Sequence, residues 1–213
     1  MAISQPYAAT DWEHASWEEG CQAVEQFRDR LGLSIDPGIF ETVVALNLLR
    51  IQTVQSCEGH LDHGYPYPWI TVVDAERKHL LTKEWSHICT LEDQAKAIGT
   101  PEAYNQYLSA DIRLRVTIMQ WERNDPLFCR LTTLLDAFYA ERETPPSPSR
   151  LLIERLKFPG TYRIVPGFSL ALDELPEHLK ASYLTPGQAE MQAFTHFLKR
   201  QWQKEREKRE SIS

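Results

Sequence analysis

The chain has 213 residues, 42% of them hydrophobic, 25% charged and 10% aromatic, and a formal charge of −7. That length allows one substantial core, and the composition is that of a globular protein, not of a disordered or fibrous one. The acidic balance argues against general nucleic-acid binding, and no apolar run reaches the ~18 residues of a membrane span.

The opening "MAISQPYAATDWEHASWEEG" has no cationic region followed by an apolar run, so a soluble, cytoplasmic protein is expected. The four Cys at 21, 57, 89 and 129 include no C-x-x-C pair and read as thiols, with Cys21 and Cys129 as small core residues.

Residues 1–11 read as a loose arm. Ser16 and Glu19 then form a capping box, and Cys21, Val24, Phe27 and Leu31 recur at helical spacing up to Gly32. Asp36 followed by Pro37 starts a second helix, apolar nearly all round and so expected to be buried. "IQTVQS" and "PWITVV" read as short strands, paired antiparallel around the loop between them.

From Asp74 to Ile98 the pattern is helical, with a break conceivable near Thr90, and Thr100–Pro101 starts another helix. Within it, Ile112, Leu114, Val116 and Ile118 alternate like a strand, although the segment lies between helical signals and is assigned to helix. Asp125–Pro126 opens a helix with Leu127, Leu131, Leu134, Leu135 and Phe138 in one stripe. The Pro-rich residues 142–149 read as a linker, and "LLIERLKFPGTYRIVPG" as a hairpin that joins the first two strands in one sheet. Thr185, Pro186 and Gln188 open the last helix, whose buried face is Met191, Phe194, Leu198 and Trp202, before a charged tail at 203–213. The sum is a single α+β domain: a small antiparallel sheet of four to five strands packed with about six helices.

The loop "VQSCEGHLDHGYPYPW" concentrates the chemistry. Cys57, His60 and His63 have the spacing C-x2-H-x2-H, and thiolate and imidazole are zinc ligands. Gly59 and Gly64 permit the tight turns that convergence requires, and Glu58 or Asp62 is placed to orient an imidazole or act as a base toward bound water. His87 and Cys89, two apart on a helix, point in different directions, so at most one joins such a site.

The same residues admit other chemistry. Cys57 entering a turn beside histidines is a candidate nucleophile with a lowered pKa, although no oxyanion donor or third member is recognisable. Tyr65, Tyr67 and Trp69, interleaved with Pro66 and Pro68, would give a stiff stacking rim for a ligand, or else cover the start of the strand. There is no phosphate loop, zincin or deaminase motif, or nucleophile elbow.

The order "LNLLRIQT", "VQSCEGH", then a Pro/aromatic stretch and a strand, resembles a group of uncharacterised bacterial and phage proteins with a Ser-Cys-x-Gly-His motif at a strand end. More distantly, Ser56, Cys57 and Gly59 resemble the Ser-Cys-x-Gly core of the wybutosine-synthesis tRNA methyltransferases. That second resemblance implies S-adenosylmethionine and an Arg where this chain has His60, a side chain that is neutral near pH 7.

The sequence therefore places the function on residues 56–69. The first expectation is a divalent-metal site, zinc by its ligands, with Cys57, His60 and His63 bound and Glu58 or Asp62 behind them, serving metal-assisted hydrolysis or the fold. The alternative is a non-catalytic module that holds a small molecule or protein partner on Tyr65, Tyr67 and Trp69. A thiol-dependent or methyl-transfer enzyme is third.

Overall fold

The computed structural model describes residues 10–29, 31–142, 147–174 and 176–211. The chain is α+β, with six α-helices among these residues and one four-stranded antiparallel sheet. The elements are α1 (Trp17–Glu25), α2 (Pro37–Leu48), β1 (Thr53–Cys57), β2 (Trp69–Val73), α3 (Ala75–Ile98), α4 (Pro101–Arg123), α5 (Pro126–Ala140), β3 (Leu151–Arg155), β4 (Thr161–Pro166) and α6 (Glu177–Glu210), with a 3-10 segment at Gly167–Glu174. The strand order β1-β2-β4-β3 places both hairpins in one sheet, as expected, with β2 against β4 at the seam.

Side chains alternate across a strand, and here each face of the sheet has its own core. Ile70 and Val72 of β2, Tyr162 and Ile164 of β4 and Leu151 of β3 pack with α2, with Leu131, Leu135 and Phe138 of α5, and with Met191, Phe194, Phe197, Leu198 and Trp202 of α6. Trp69 and Val165 point the other way, to Tyr67, Phe168 and Leu172.

α2 is the central helix, as its all-round apolar sequence predicts: Ile39, Val43, Val44, Leu46 and Leu48 are fully buried. Its two buried polar residues are both satisfied. Asn47 bonds Val43 O and both the hydroxyl and the N–H of Thr53, fixing the turn into β1. Thr42 Oγ1 meets Thr195 Oγ1 of α6 at 2.6 Å.

The caps at Ser16, Thr100 and Asp125 are where the sequence predicts them. Ser16 and Glu19 make the reciprocal box, and Asp74, Thr100 and Asp125 each accept from the N–H three residues on. α3 runs unbroken through Thr90, and residues 111–121 are helix. Asp125 also joins the helices to the sheet: its Oδ2 takes Arg77 Nη1 at 2.9 Å and Tyr162 OH at 2.7 Å, with the carboxylate buried.

Three boundaries differ from expectation. α1 ends at Glu25, so Leu31 is exposed instead of completing a stripe. α6 starts at Glu177, leaving Pro186 inside the helix, and it continues to Glu210 through most of the charged tail, with Arg206 and Glu210 paired. Cys21 is half-buried against the main core, whereas Cys129 is exposed, since α5 turns it to solvent. Residues 1–9 of the expected arm and 143–146 of the expected linker lie outside the described residues.

Candidate functional site

β1 delivers the loop. A register irregularity between Thr53 and Gln55 interrupts its ladder with β2, which resumes at Gln55↔Thr71 and runs through Ser56↔Ile70 to Cys57↔Trp69. The backbone then turns at Gly59 with φ +88, where a Cβ would stand 2.7 Å from the Tyr67 carbonyl carbon and from Leu184 Cδ1 of α6. Only glycine fits both the torsion and the space. His60 N–H donates to Tyr65 O at 3.1 Å, and Gly64, also left-handed, completes the turn.

The loop is fastened to two helices. Asp36, at the N-cap of α2, makes no side-chain cap bond to its own helix. Its Oδ2 instead accepts the Glu58 N–H at 3.1 Å and lies 3.3 Å from His60 Nε2. Glu58 Oε2 in turn accepts the Gly38 N–H at 2.6 Å, at the amino end of α2. On the other side Gln188 of α6 donates to Glu58 O at 3.0 Å.

This arrangement sorts the expected ligands. Among the described residues, the groups of three donor atoms lying within 4.8 Å of one another are Asp36/Cys57/His60 and His60/Asp62/His63. Cys57 and His60 thus come together as expected, but with Asp36 as third member. His63 stacks on His60 with ring centroids 4.1 Å apart, and its Nδ1 is 2.8 Å from Asp62 in an exposed pair. His87 and Cys89 lie exposed on α3 and belong to neither group.

The first group is semi-enclosed, with the side chains of His60 and Asp36 22% and 32% exposed. Two ligands each ~2.1 Å from a tetrahedral zinc lie ~3.4 Å apart, close to the 3.3 Å between His60 Nε2 and Asp36 Oδ2. With no metal bound, the same contact is an Asp–His hydrogen bond. Three protein donors leave one position for water, the pattern of catalytic zinc.

The thiol corrects one expectation. Burial, reinforced by the negative charges of Asp36 and Glu58, pushes the Cys57 pKa up, and the Gly59 N–H on Sγ at 3.3 Å only partly offsets this. The shift is thus opposite to the lowered pKa expected for an activated Cys–His pair. Glu58 and Asp62 are also already occupied. Glu58 serves α2, and Asp62, exposed, is held below the usual carboxylate range by its own backbone N–H and by His63. Glu58 does line a cleft of about 230 Å³ with Gly38, Pro68, Gln188, Met191 and Gln192.

The aromatic rim divides. Tyr67 and Trp69 are buried with Val165, Phe168 and Leu172, so they serve the second core. Tyr65 remains exposed and packs 5.2 Å from Tyr67, while the Arg163 guanidinium lies over Trp69 at 4.6 Å and over Tyr65 at 5.8 Å. The Trp69 Nε1–H is buried without a hydrogen-bond partner among the described residues.

Asp36, Gln188, Leu184 and Arg163 shape the site but carry no local sequence signal for it. Asp36 precedes a proline and reads as a cap, and the other three lie more than 90 residues away along the chain. No family model, curated protein or solved structure matches the chain. No helix among the described residues is long and apolar enough to cross a membrane.

Proposed function

We propose that the chain binds one divalent cation of zinc type through Asp36, Cys57 and His60, with the fourth position open for a water used in hydrolysis. The observation that carries this reading is the convergence of a carboxylate, a thiol and an imidazole from two separate segments, all within 4.8 Å. A bound zinc would supply Lewis acidity and a water of lowered pKa. The chain's own residues would hold the ligands in place: Glu58 N–H on Asp36, Gly59 at the turn, and Gln188 on the loop backbone. The cleft beside Glu58 would admit a small substrate group. The reading includes a reducing, cytoplasmic setting, in which Cys57 stays available as a ligand.

The test is the zinc content of tag-free protein by mass spectrometry, beside Asp36→Asn, Cys57→Ser and His60→Ala. About one zinc per chain, lost in all three variants, is expected. Wild-type protein without metal, and unable to take up added zinc, sinks the proposal.

A second reading rests on Tyr65 and Arg163: an exposed ring beside a cation offers a stacking site for a planar ligand, which would make the chain a binding module. Ligand binding abolished by Tyr65→Ala in a protein that holds no zinc would favour it.

A further inference from the structure

Away from the loop, α3 and α4 form an antiparallel hairpin whose helices have 24 and 23 residues but bury only Ile88, Ala95, Ala110 and Leu114 between them. The face of α4 turned to α3 carries Tyr107, Ala110, Leu114 and Ile118. A second stripe runs along the helix well round from it: Tyr104, Leu108, Ile112, Val116 and Met119, at spacings of four and three. These five side chains are between 40% and 58% exposed, and Trp85 of α3 is exposed as well. Scattered apolar residues on a surface need no explanation, whereas a continuous stripe about 22 Å long on one helix marks an interface.

The charges say what covers it. The half of the hairpin near the α3–α4 turn carries Glu92, Asp93, Glu102 and Asp111 against Lys96 alone. The other half carries Lys78, Lys83, Arg113, Arg115 and Arg123 against Glu76, Glu84 and Glu122, with Arg77 held by Asp74 and Asp125. The Arg115–Asp111 ion pair takes one charge from each half and leaves the sign of both unchanged. The hairpin is thus negative at its tip and positive at its base. A two-fold axis through Ile112 lays tip against base and base against tip, and pairs the stripe with itself: Ile112 on Ile112, Leu108 on Val116, Tyr104 near Met119. A parallel arrangement would set like charges together.

We propose that a second copy of this chain covers the stripe, and that the two hairpins associate antiparallel into a four-helix bundle. Such packing supplies the layer that a two-helix hairpin with four buried residues lacks.

Sedimentation equilibrium of the full-length chain tests this. The expected mass is twice 24.7 kDa, falling toward 24.7 kDa on dilution and at high salt. Ile112→Asp, at an exposed site, should return a monomer with unchanged helix content by circular dichroism, and Met119→Asp should do the same. In a background with Cys89→Ser and Cys129→Ser, oxidised Ile112→Cys should cross-link to itself, and a mixture of Tyr104→Cys and Met119→Cys should cross-link preferentially between the two. A wild-type chain that stays at 24.7 kDa up to its solubility limit overturns the proposal and assigns the stripe to a different protein. A dimer that both Asp variants leave intact overturns it too.

Discussion

Asp36 and Glu58 exchange places: the residue at the N-cap of α2 holds the loop, through Glu58 N–H on Asp36 Oδ2 at 3.1 Å, and the loop residue caps α2, through Gly38 N–H on Glu58 Oε2 at 2.6 Å. The helix keeps a carboxylate at its positive end, and Asp36 is released to face His60. Glu58→Ala should therefore lower stability by ~1 kcal/mol, the usual cost of a lost cap, and weaken zinc binding without abolishing it. Urea unfolding and zinc titration of the same variant check both parts. Full affinity in Glu58→Ala would mean that Asp36 needs no such support.

His63→Ala separates the structural ligand set from the one the sequence spacing suggests. Because His63 groups with exposed Asp62 and not with Cys57, its variant should keep one zinc per chain. His60→Ala should cost more than the roughly 10–100-fold in affinity that losing a partner behind a ligand costs. Equal losses in the two variants would restore His63 to the site.

The raised thiol pKa of Cys57 gives two pH effects of defined sign. Below the ordinary thiol range the group is neutral in folded and unfolded chains alike, and its share of stability is fully present. As pH rises past that range the unfolded chain loses the proton first, so metal-free stability falls. Zinc requires the thiolate, so binding at the proposed site should release this proton near neutral pH and weaken as pH drops. Calorimetry in two buffers of different ionisation enthalpy measures the release. About one proton released per zinc bound is expected of the wild-type chain, and binding with no release would exclude the thiol as a ligand.

Gly59→Ala should destabilise the protein by ~1–3 kcal/mol, since a methyl group there adds a left-handed torsion to overlap with Tyr67 backbone and Leu184. Gly64→Ala, left-handed but with open space around it, should cost less. Denaturant midpoints of the pair distinguish crowding from torsion. Similar values for both would leave torsion alone as the cause.

Asp125→Ala removes the α5 cap and leaves Arg77 and the Tyr162 hydroxyl without their shared acceptor. Breaking a buried pair of this kind costs ~3–5 kcal/mol. Asp125→Asn can keep the cap and part of the Tyr162 bond, so it should fall between Ala and wild type. Asn as damaging as Ala would show that the charge carries the whole effect.

Much of the fold is legible in the sequence because its signals are local. Ser16 with Glu19, Thr100 with Pro101 and Asp125 with Pro126 announce helix starts through bonds made within three residues. The strand-like alternation of Ile112, Leu114, Val116 and Ile118 has a definite cause: α4 has two apolar stripes, and their members interleave along the chain. Pro186 misleads for a different reason. Proline favours the first turn of a helix, yet α6 begins nine residues earlier, at Glu177. The site is half legible. Cys57 and His60 lie in one loop, whereas Asp36 arrives through α2, and its sequence signal, an Asp before a Pro, is already accounted for as a cap.

Pro186 also has a mechanical consequence. Lacking an N–H, it leaves the Ser182 carbonyl without its intrahelical donor, so α6 is softest at this turn. The neighbouring residues are those that touch the loop and its surroundings: Leu184 beside Gly59, Gly187 against Phe168 and Pro68, and Gln188 on Glu58 O. Beyond them, from Met191 on, the helix is locked into the main core. The proline thus divides the contacts: Tyr183 and Leu184 before it pack on Phe168 and beside Gly59, whereas Gly187 and Gln188 after it share the rigid part of the helix, so the loop backbone is held from the side that does not bend.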